Sequence, residues 1–199
     1  MPAPNHYRIW PKGLPHTIRV PQVPLTHYLQ HAAACFPDKP AIIFGGAALS
    51  YADLSERVDS LAGFLRQRLG VQPGDRVLLL SQNCPQFVVA FYGVLRAGAV
   101  VVPVNAMSTD SELRFYIEDT GARVAIAAQE LWAPVMRNPA PEREQGLTAV
   151  LVHAYSGAIS HDRDGEDLPD NVRASRIALE GDRLFGFASG ATAGAAGRG

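Results

Sequence analysis

From Leu25 the chain adopts the spacing of an amphipathic helix. Leu25, Tyr28, Leu29, Ala32 and Phe36 recur every three or four residues, and Pro37 stops the run. "PAIIF" then predicts a strand, "GGAA" a turn, and "LSY" the returning strand of a small β-hairpin near residues 40–51. A second helical stripe follows, formed by Leu54, Val58, Leu61, Ala62, Leu65 and Leu69. Ser50 and Asp53 have the spacing of a capping box at its start, and Gly70 supplies a left-handed exit. "RVLLLS" is apolar throughout, as a strand covered on both faces should be. The unit then repeats. Pro85 opens the helix "PQFVVAFYGVLRAG", Gly98 closes it, and "AVVVPV" reads as a second buried strand. Ser108 or Thr109 caps the helix "DSELRFYIEDTG", and "RVAIAA" is the next strand. A short helix around Glu130 to Met136 leads to a last strand in "LTAVLVHAY".

Strands alternating with helices at this spacing imply an α/β fold: a mostly parallel sheet flanked by helices on both faces, joined by right-handed crossovers. The pattern leaves the strand order open. It divides the chain into a proline-rich extended arm over residues 1–24 and an α/β region over 25–155. The remainder, 156–199, is a polar loop and a Gly/Ala-rich tail expected to be poorly ordered.

Composition narrows the function classes. With 47% apolar and 19% charged residues, the 199-residue chain can bury a core, and a formal charge of -1 gives no reason to expect nucleic acid. Lysine occurs only at positions 12 and 39. Cys35 and Cys84 form no CxxC pair and suit a reducing compartment. The first 24 residues lack the apolar core of a signal peptide. The longest apolar stretch, Phe87 to Val104, is broken by Arg96 and Gly98, so no transmembrane segment is expected and the cytoplasm is the default.

The middle of the chain carries a resemblance. "LSYADLSERVDSLAGFL" followed by "GVQPGDRVLLLSQNCPQFVVAFYGVLRAGAVVVPVN" is similar to the AMP-forming acyl-CoA synthetase and adenylation-domain superfamily. Leu95, Ala97, Gly98, Ala99, Pro103, Val104 and Asn105 match its L-x-A-G-A-x-x-x-P-[LVI]-[ND] helix-to-strand segment. The resemblance implies the N-terminal subdomain fold of adenylate-forming ligases. It also implies a two-step reaction: a carboxylate attacks the α-phosphate of ATP with Mg²⁺ present, and coenzyme A thiol then takes the acyl group. The arm with "HYRIWPKGLP" resembles fatty-acid members, which points to a medium- or long-chain fatty acid as the carboxylate.

The same resemblance places a phosphate loop, [ST]-S-G-[ST]-T-G-x-P-K-G, at the tail "FASGATAGAAGRG". Ser189 and Gly190 match its S-G, Thr192 a threonine, and Gly194 the next glycine if Ala193 is an insertion; Arg198 stands where lysine is expected. The match is degenerate, and a Gly/Ala tail of chance similarity that does not grip ATP is the preferred reading. The family's adenine, Mg²⁺-glutamate, ribose-aspartate and catalytic-lysine segments have no counterpart in these residues. The chain is therefore expected to be a truncated ligase, inactive by itself, binding neither ATP, Mg²⁺ nor CoA alone. The alternative is a non-catalytic α/β partner-binding module or half of a split ligase. Apolar helix positions such as Phe87, Phe91 and Leu95 would invite self-association if uncovered.

Three further constellations have bland readings. His27 and His31 lie four apart with no third ligand evident, and read as a solvated helix face. "DRDGED", Asp162 to Asp167, has its glycine misplaced for a calcium loop. Ser81, Cys84 and His153 suggest nucleophile chemistry, but no G-x-S-x-G elbow frames the serine.

Overall fold

The computed structural model describes residues 5–132, 135, 146–158, 170–175 and 184–186. Helix α1 (Leu25–Cys35) precedes an antiparallel hairpin of β1 (Pro40–Phe44) and β2 (Ala47–Ser50), and α2 (Tyr51–Gln67) starts directly from it. There follow β3 (Arg76–Leu80), α3 (Pro85–Arg96), β4 (Val100–Val104), α4 (Asp110–Thr120), β5 (Val124–Ala128), β6 (Ala149–His153), a short α5 (Asp170–Arg173) and β7 (Leu184–Gly186). Strands β3 to β7 form one sheet in the order β4-β3-β5-β6-β7, every pairing parallel.

The two-residue period of the strands divides the core. Val77, Leu79, Val124, Ile126, Ala149 and Leu151 point to one face, where they pack with Leu29 of α1, the Leu54–Leu65 stripe of α2, and Val89 and Val94 of α3. Leu78, Leu80, Ala125, Ala127, Val150 and Val152 point to the other, against Leu113 and Ile117 of α4. Helices thus cover both faces. β5 and β6 are buried at every position, which is why their sequences show no alternation. The reading of "AVVVPV" as a buried strand requires correction. β4 is the sheet edge, with Val100 46% exposed and Pro103 exposed, and Pro103, lacking an N–H, suits a position with one neighbour. Phe87, Phe91 and Leu95 are half-buried, and the two phenylalanines pack against the α1–α2–α3 core.

Local chemistry fixes the helix ends. Thr109, not Ser108, caps α4 with a complete capping box: Glu112 N–H donates to Thr109 Oγ1 at 3.4 Å and Thr109 N–H donates to Glu112 Oε2 at 2.7 Å. At α2 only half of the expected box forms. Ser50 Oγ accepts from Asp53 N–H at 3.1 Å and donates to the Asp53 carboxylate at 2.7 Å. The N–H of Tyr51, the first residue of α2, donates to Lys39 O at 3.0 Å. α3 ends in a Schellman motif: Gly98 N–H donates to Leu95 O and Ala99 N–H to Val94 O, with Gly98 at φ +83°. That positive φ lets β4 start immediately. The helix expected around residues 130–136 lies only partly within the described residues.

Candidate functional site

Parallel strands deliver their C-terminal ends to one edge of the sheet, and open α/β sheets bind ligands there, where neighbouring connections part to opposite faces. In this chain the parting lies between β3 and β5. The connection from β3 enters α3 on one face, whereas the residues after β5 pack Leu131, Trp132 and Val135 on the other. Ser81 follows β3, Gln129 and Glu130 follow β5, and His153 and Tyr155 close β6.

Ser81, Gln129, His153 and Tyr155 are buried in the crevice, and Glu130 stands exposed beside them. His153 Nε2 lies 3.0 Å from Ser81 Oγ, and Ser81 Oγ donates to Gln82 O at 2.9 Å. Ser81 has one hydroxyl proton, so when it goes to Gln82 O the His153 contact is made by a proton on Nε2. Cys84 Sγ lies 3.6 Å from Ser81 Oγ and caps α3 by accepting Phe87 N–H at 3.3 Å. Tyr155 Oη accepts Gln82 N–H at 3.3 Å, and its ring meets the His153 ring edge-on at a centroid distance of 5.4 Å. Gln86 Nε2 donates to Ala154 O at 2.9 Å, and Gln129 Nε2 to Ser175 O at 3.0 Å.

The buried titratable groups His153, Cys84 and Tyr155 are held neutral. His153 is fully buried, and burial lowers its pKa from 6.5 to about 3. Burial raises the Cys84 thiol. The Tyr155 phenol is raised well above its ordinary range by burial and by the hydrogen bond and charge of Glu130. Ser81, Cys84 and His153, which the sequence suggested as a nucleophile set, are therefore brought together, but in an arrangement that cannot perform that chemistry. The imidazole, its pKa lowered to about 3, is too weak a base, and Ser81 is only 8% exposed. The cluster is a polar knot that joins the ends of β3 and β6 to the start of α3.

Sequence reasoning missed Tyr155, Gln86 and Gln129. Gln86 and Gln129 carried a faint signal as polar residues inside apolar runs. Tyr155 carried none, because its partner Gln82 lies 73 positions away.

The residues matched to the phosphate loop, Ser189, Gly190, Thr192, Gly194 and Arg198, lie outside the described residues, as do Asp162 to Asp167. β7 runs parallel to β6, with Leu184 opposite Val150 and Gly186 opposite Val152, so Gly186 ends it on the same edge as the polar knot. His27 and His31 lie on the exposed side of α1. Among the described residues no group of three or more His, Cys, Asp or Glu side chains is positioned to hold a metal ion. The buried groups His153, Cys84, Ser81 and Tyr155 are neutral and do not themselves fit a magnesium nucleotide.

At the opposite edge, two open grooves of about 480 Å³ each carry arginines. Arg96 is held by Asp59 at 2.8 Å, and Arg76 donates to Thr120 O at 2.6 Å, at the C-terminal end of α4. These guanidiniums act in the fold. No helix among the described residues is long and apolar enough to cross a membrane.

Comparison with known proteins agrees with this architecture. The family model described as "AMP-binding enzyme" matches residues 29–192. A long-chain-fatty-acid–CoA ligase of Bacillus subtilis (strain 168) is 39% identical over 128 residues, covering 64% of this chain and 23% of that protein. An oxalate–CoA ligase of Arabidopsis thaliana is 30% identical over 169 residues, covering 84% of this chain and 33% of the relative. A crystal structure of a protein assigned as a long-chain-fatty-acid CoA ligase, from Rhodopseudomonas palustris CGA009, superimposes with a TM-score of 0.60 at 31% identity. It covers 65% of this chain and 32% of the other. The chain thus spans between about a quarter and a third of the length of these relatives. With the parallel sheet, the hairpin ahead of it and the helix-to-strand join at Gly98 all in place, the match over residues 29–192 shows that this chain belongs to the AMP-binding enzyme family.

Proposed function

We propose that the chain is the N-terminal α/β part of an AMP-forming acid–CoA ligase that activates a medium- or long-chain fatty acid in the cytoplasm. In the reaction assigned to it, a carboxylate oxygen attacks the α-phosphorus of ATP. Pyrophosphate leaves with the cleaved P–O bonding pair, and the resulting acyl-adenylate passes its acyl group to the coenzyme A thiol with release of AMP. The fatty-acid reading draws on the Bacillus subtilis and Rhodopseudomonas palustris relatives. Two free cysteines suit a reducing compartment.

In this reading the chain supplies the scaffold of the reaction and not its charges. The observation that carries it is the filled crevice: Ser81, Cys84, His153 and Tyr155 occupy the C-terminal edge as buried, neutral groups that contact one another. Phosphoryl chemistry needs cationic and metal-held charge at the reacting phosphates. Ser189, Gly190, Thr192, Gly194 and Arg198 are the candidate phosphate contacts, and the family match extends through Thr192. They lack the lysine that would neutralise the pyrophosphate. We accordingly assign no turnover to these 199 residues alone, with Mg²⁺, ATP and CoA held together with further sequence. The test is fatty-acid-dependent exchange of labelled pyrophosphate into ATP by the purified chain. Exchange indistinguishable from a protein-free control is expected; exchange that rises with fatty acid would refute the assignment.

A further inference from the structure

We infer that the N-terminal arm and the outer side of α1 form a docking surface for an anionic lipid bilayer. The helical stripe that the sequence reads as one face is split in the structure. Leu29 is buried in the core shared with α2 and α3, whereas Leu25, Tyr28 and Phe36 stand exposed. Ahead of the helix every residue from Arg8 to Pro24 is exposed, with Ile9 and Ile18 each at 88%. Nine of the thirteen exposed large apolar side chains among the described residues precede residue 37, a concentration that marks an interaction surface.

The arm holds its own shape. The Tyr7 and His16 rings stack at a centroid distance of 4.2 Å, and Trp10 meets them edge-on at 6.0 and 5.8 Å. Trp10 N–H donates to Tyr7 O and Leu14 N–H to Pro11 O, both at 3.3 Å. Pro11, Pro15, Pro21 and Pro24 restrict the backbone further. Ile9 and Leu14 stay exposed around this clasp, so covering them orders little that is not already ordered.

Charge says what covers the surface. Residues 1–37 contain Arg8, Lys12 and Arg19 and no Asp or Glu. Residues 38–199 hold all 19 acidic residues and 15 of the 18 Lys and Arg, a net charge of -4. The cations are interleaved with the apolar side chains: Arg8 precedes Ile9, and Arg19 lies between Ile18 and Val20. A protein core laid over the segment would strip water from those guanidiniums with no carboxylate of the segment to pair them, and a second copy would bring like charges together. A bilayer surface satisfies both groups. Aliphatic side chains enter the acyl boundary, cations stay at the lipid phosphates, and Trp10 and Tyr28 suit the headgroup level. Docking is peripheral, since α1 has 11 residues and no helix among the described residues is long and apolar enough to cross a membrane. The inference goes beyond the ligase reading and does not rest on it.

Sedimentation of the whole chain with large vesicles tests it. Vesicles of phosphatidylcholine and phosphatidylglycerol in equal parts should carry the chain down, and pure phosphatidylcholine should bind it at least tenfold more weakly. The variant Arg8→Gln/Lys12→Gln/Arg19→Gln should lose about a hundredfold in affinity, at about fivefold per cation. Ile18→Ser/Val20→Ser should lose about tenfold, because two aliphatic side chains no longer enter the acyl boundary. Circular dichroism should be unchanged in both, since every altered residue is exposed. Tryptophan emission should move to shorter wavelength on the anionic vesicles, and Trp10→Phe should remove that shift. No sedimentation with anionic vesicles, equal binding to both vesicle types, or binding unchanged in either multiple variant overturns the proposal. A dimer in light scattering that Ile18→Ser/Val20→Ser abolishes, without vesicle binding, would assign the surface to a second copy instead. The vesicles carry no fatty acid, nucleotide or coenzyme A, so failure here is distinct from failure of the ligase reading.

Discussion

Titration of His153 gives the sharpest test of the polar knot. The imidazole has a pKa of about 3 in the folded chain, against an ordinary 6.5 when unfolded. Between those values the unfolded chain binds the extra proton, so stability is complete above about pH 6.5 and declines as the pH falls. At pH 5 the unfolded imidazole is stabilised by RT ln(1 + 10^1.5), about 2 kcal/mol, and folding loses that amount relative to pH 8. His16, His27 and His31 are exposed, and the lowered Glu112 carboxyl acts below its ordinary 4.5, outside this window. Urea unfolding followed by tryptophan fluorescence measures the effect. With a slope of about 2 kcal/mol per molar, the midpoint should fall by about 1 M between pH 8 and pH 5. His153→Gln retains a hydrogen-bonding side chain of similar reach and cannot titrate. It should be less stable at pH 8 by about 1–3 kcal/mol, since Ser81 loses its partner geometry, but its midpoint should barely move with pH. A wild-type midpoint that stays constant from pH 8 to 5, or a variant with the wild-type slope, would refute the buried neutral imidazole.

The remaining predictions concern how that edge is supported. Gly93 lies where α3 crosses α2, and a Cβ there would come within 2.7 Å of Leu61 Cδ2 and 3.1 Å of Leu61 Cβ. Gly93→Val should therefore cost about 1–3 kcal/mol in urea unfolding, with part recovered in the double variant with Leu61→Ala. Thr109→Ala removes the Oγ1 acceptor of the α4 capping box while leaving the backbone N–H that Glu112 accepts, and should cost about 1 kcal/mol, whereas Thr109→Ser should come close to wild type. Tyr155→Phe takes the acceptor from Gln82 N–H in a closed crevice and should cost about 1–3 kcal/mol, with faster amide exchange at Gln82 as its local signature.

Much of the fold was legible because periodicity reports burial. The Leu54–Leu65 stripe gave α2, the uninterrupted apolar runs gave β3, β5 and β6, and Pro85 and Gly98 marked the ends of α3. What periodicity could not report was neighbourhood. "AVVVPV" and "RVLLLS" look alike as strings, yet β3 has two strand neighbours and β4 one, and only the sheet order distinguishes them. The capping box at Ser50 formed only in half: Ser50 Oγ accepts the Asp53 N–H and turns its own proton onto the Asp53 carboxylate, a local choice that spacing alone does not encode. The site was less legible. Ser81, Cys84 and His153 were visible as reactive residue types, but their meeting depends on the register of β3, β5 and β6. Their inertness depends on burial, which lowers the His153 imidazole and leaves Ser81 only 8% exposed.

The claim on which the functional account rests is that these residues form a scaffold without a nucleotide grip. Isothermal calorimetry of magnesium ATP titrated into the purified chain tests it most directly. The account predicts only heats of dilution, unchanged in Arg198→Ala. A saturable single-site isotherm that Arg198→Ala abolishes would contradict it, and would make the Ser189–Arg198 stretch a working phosphate cradle.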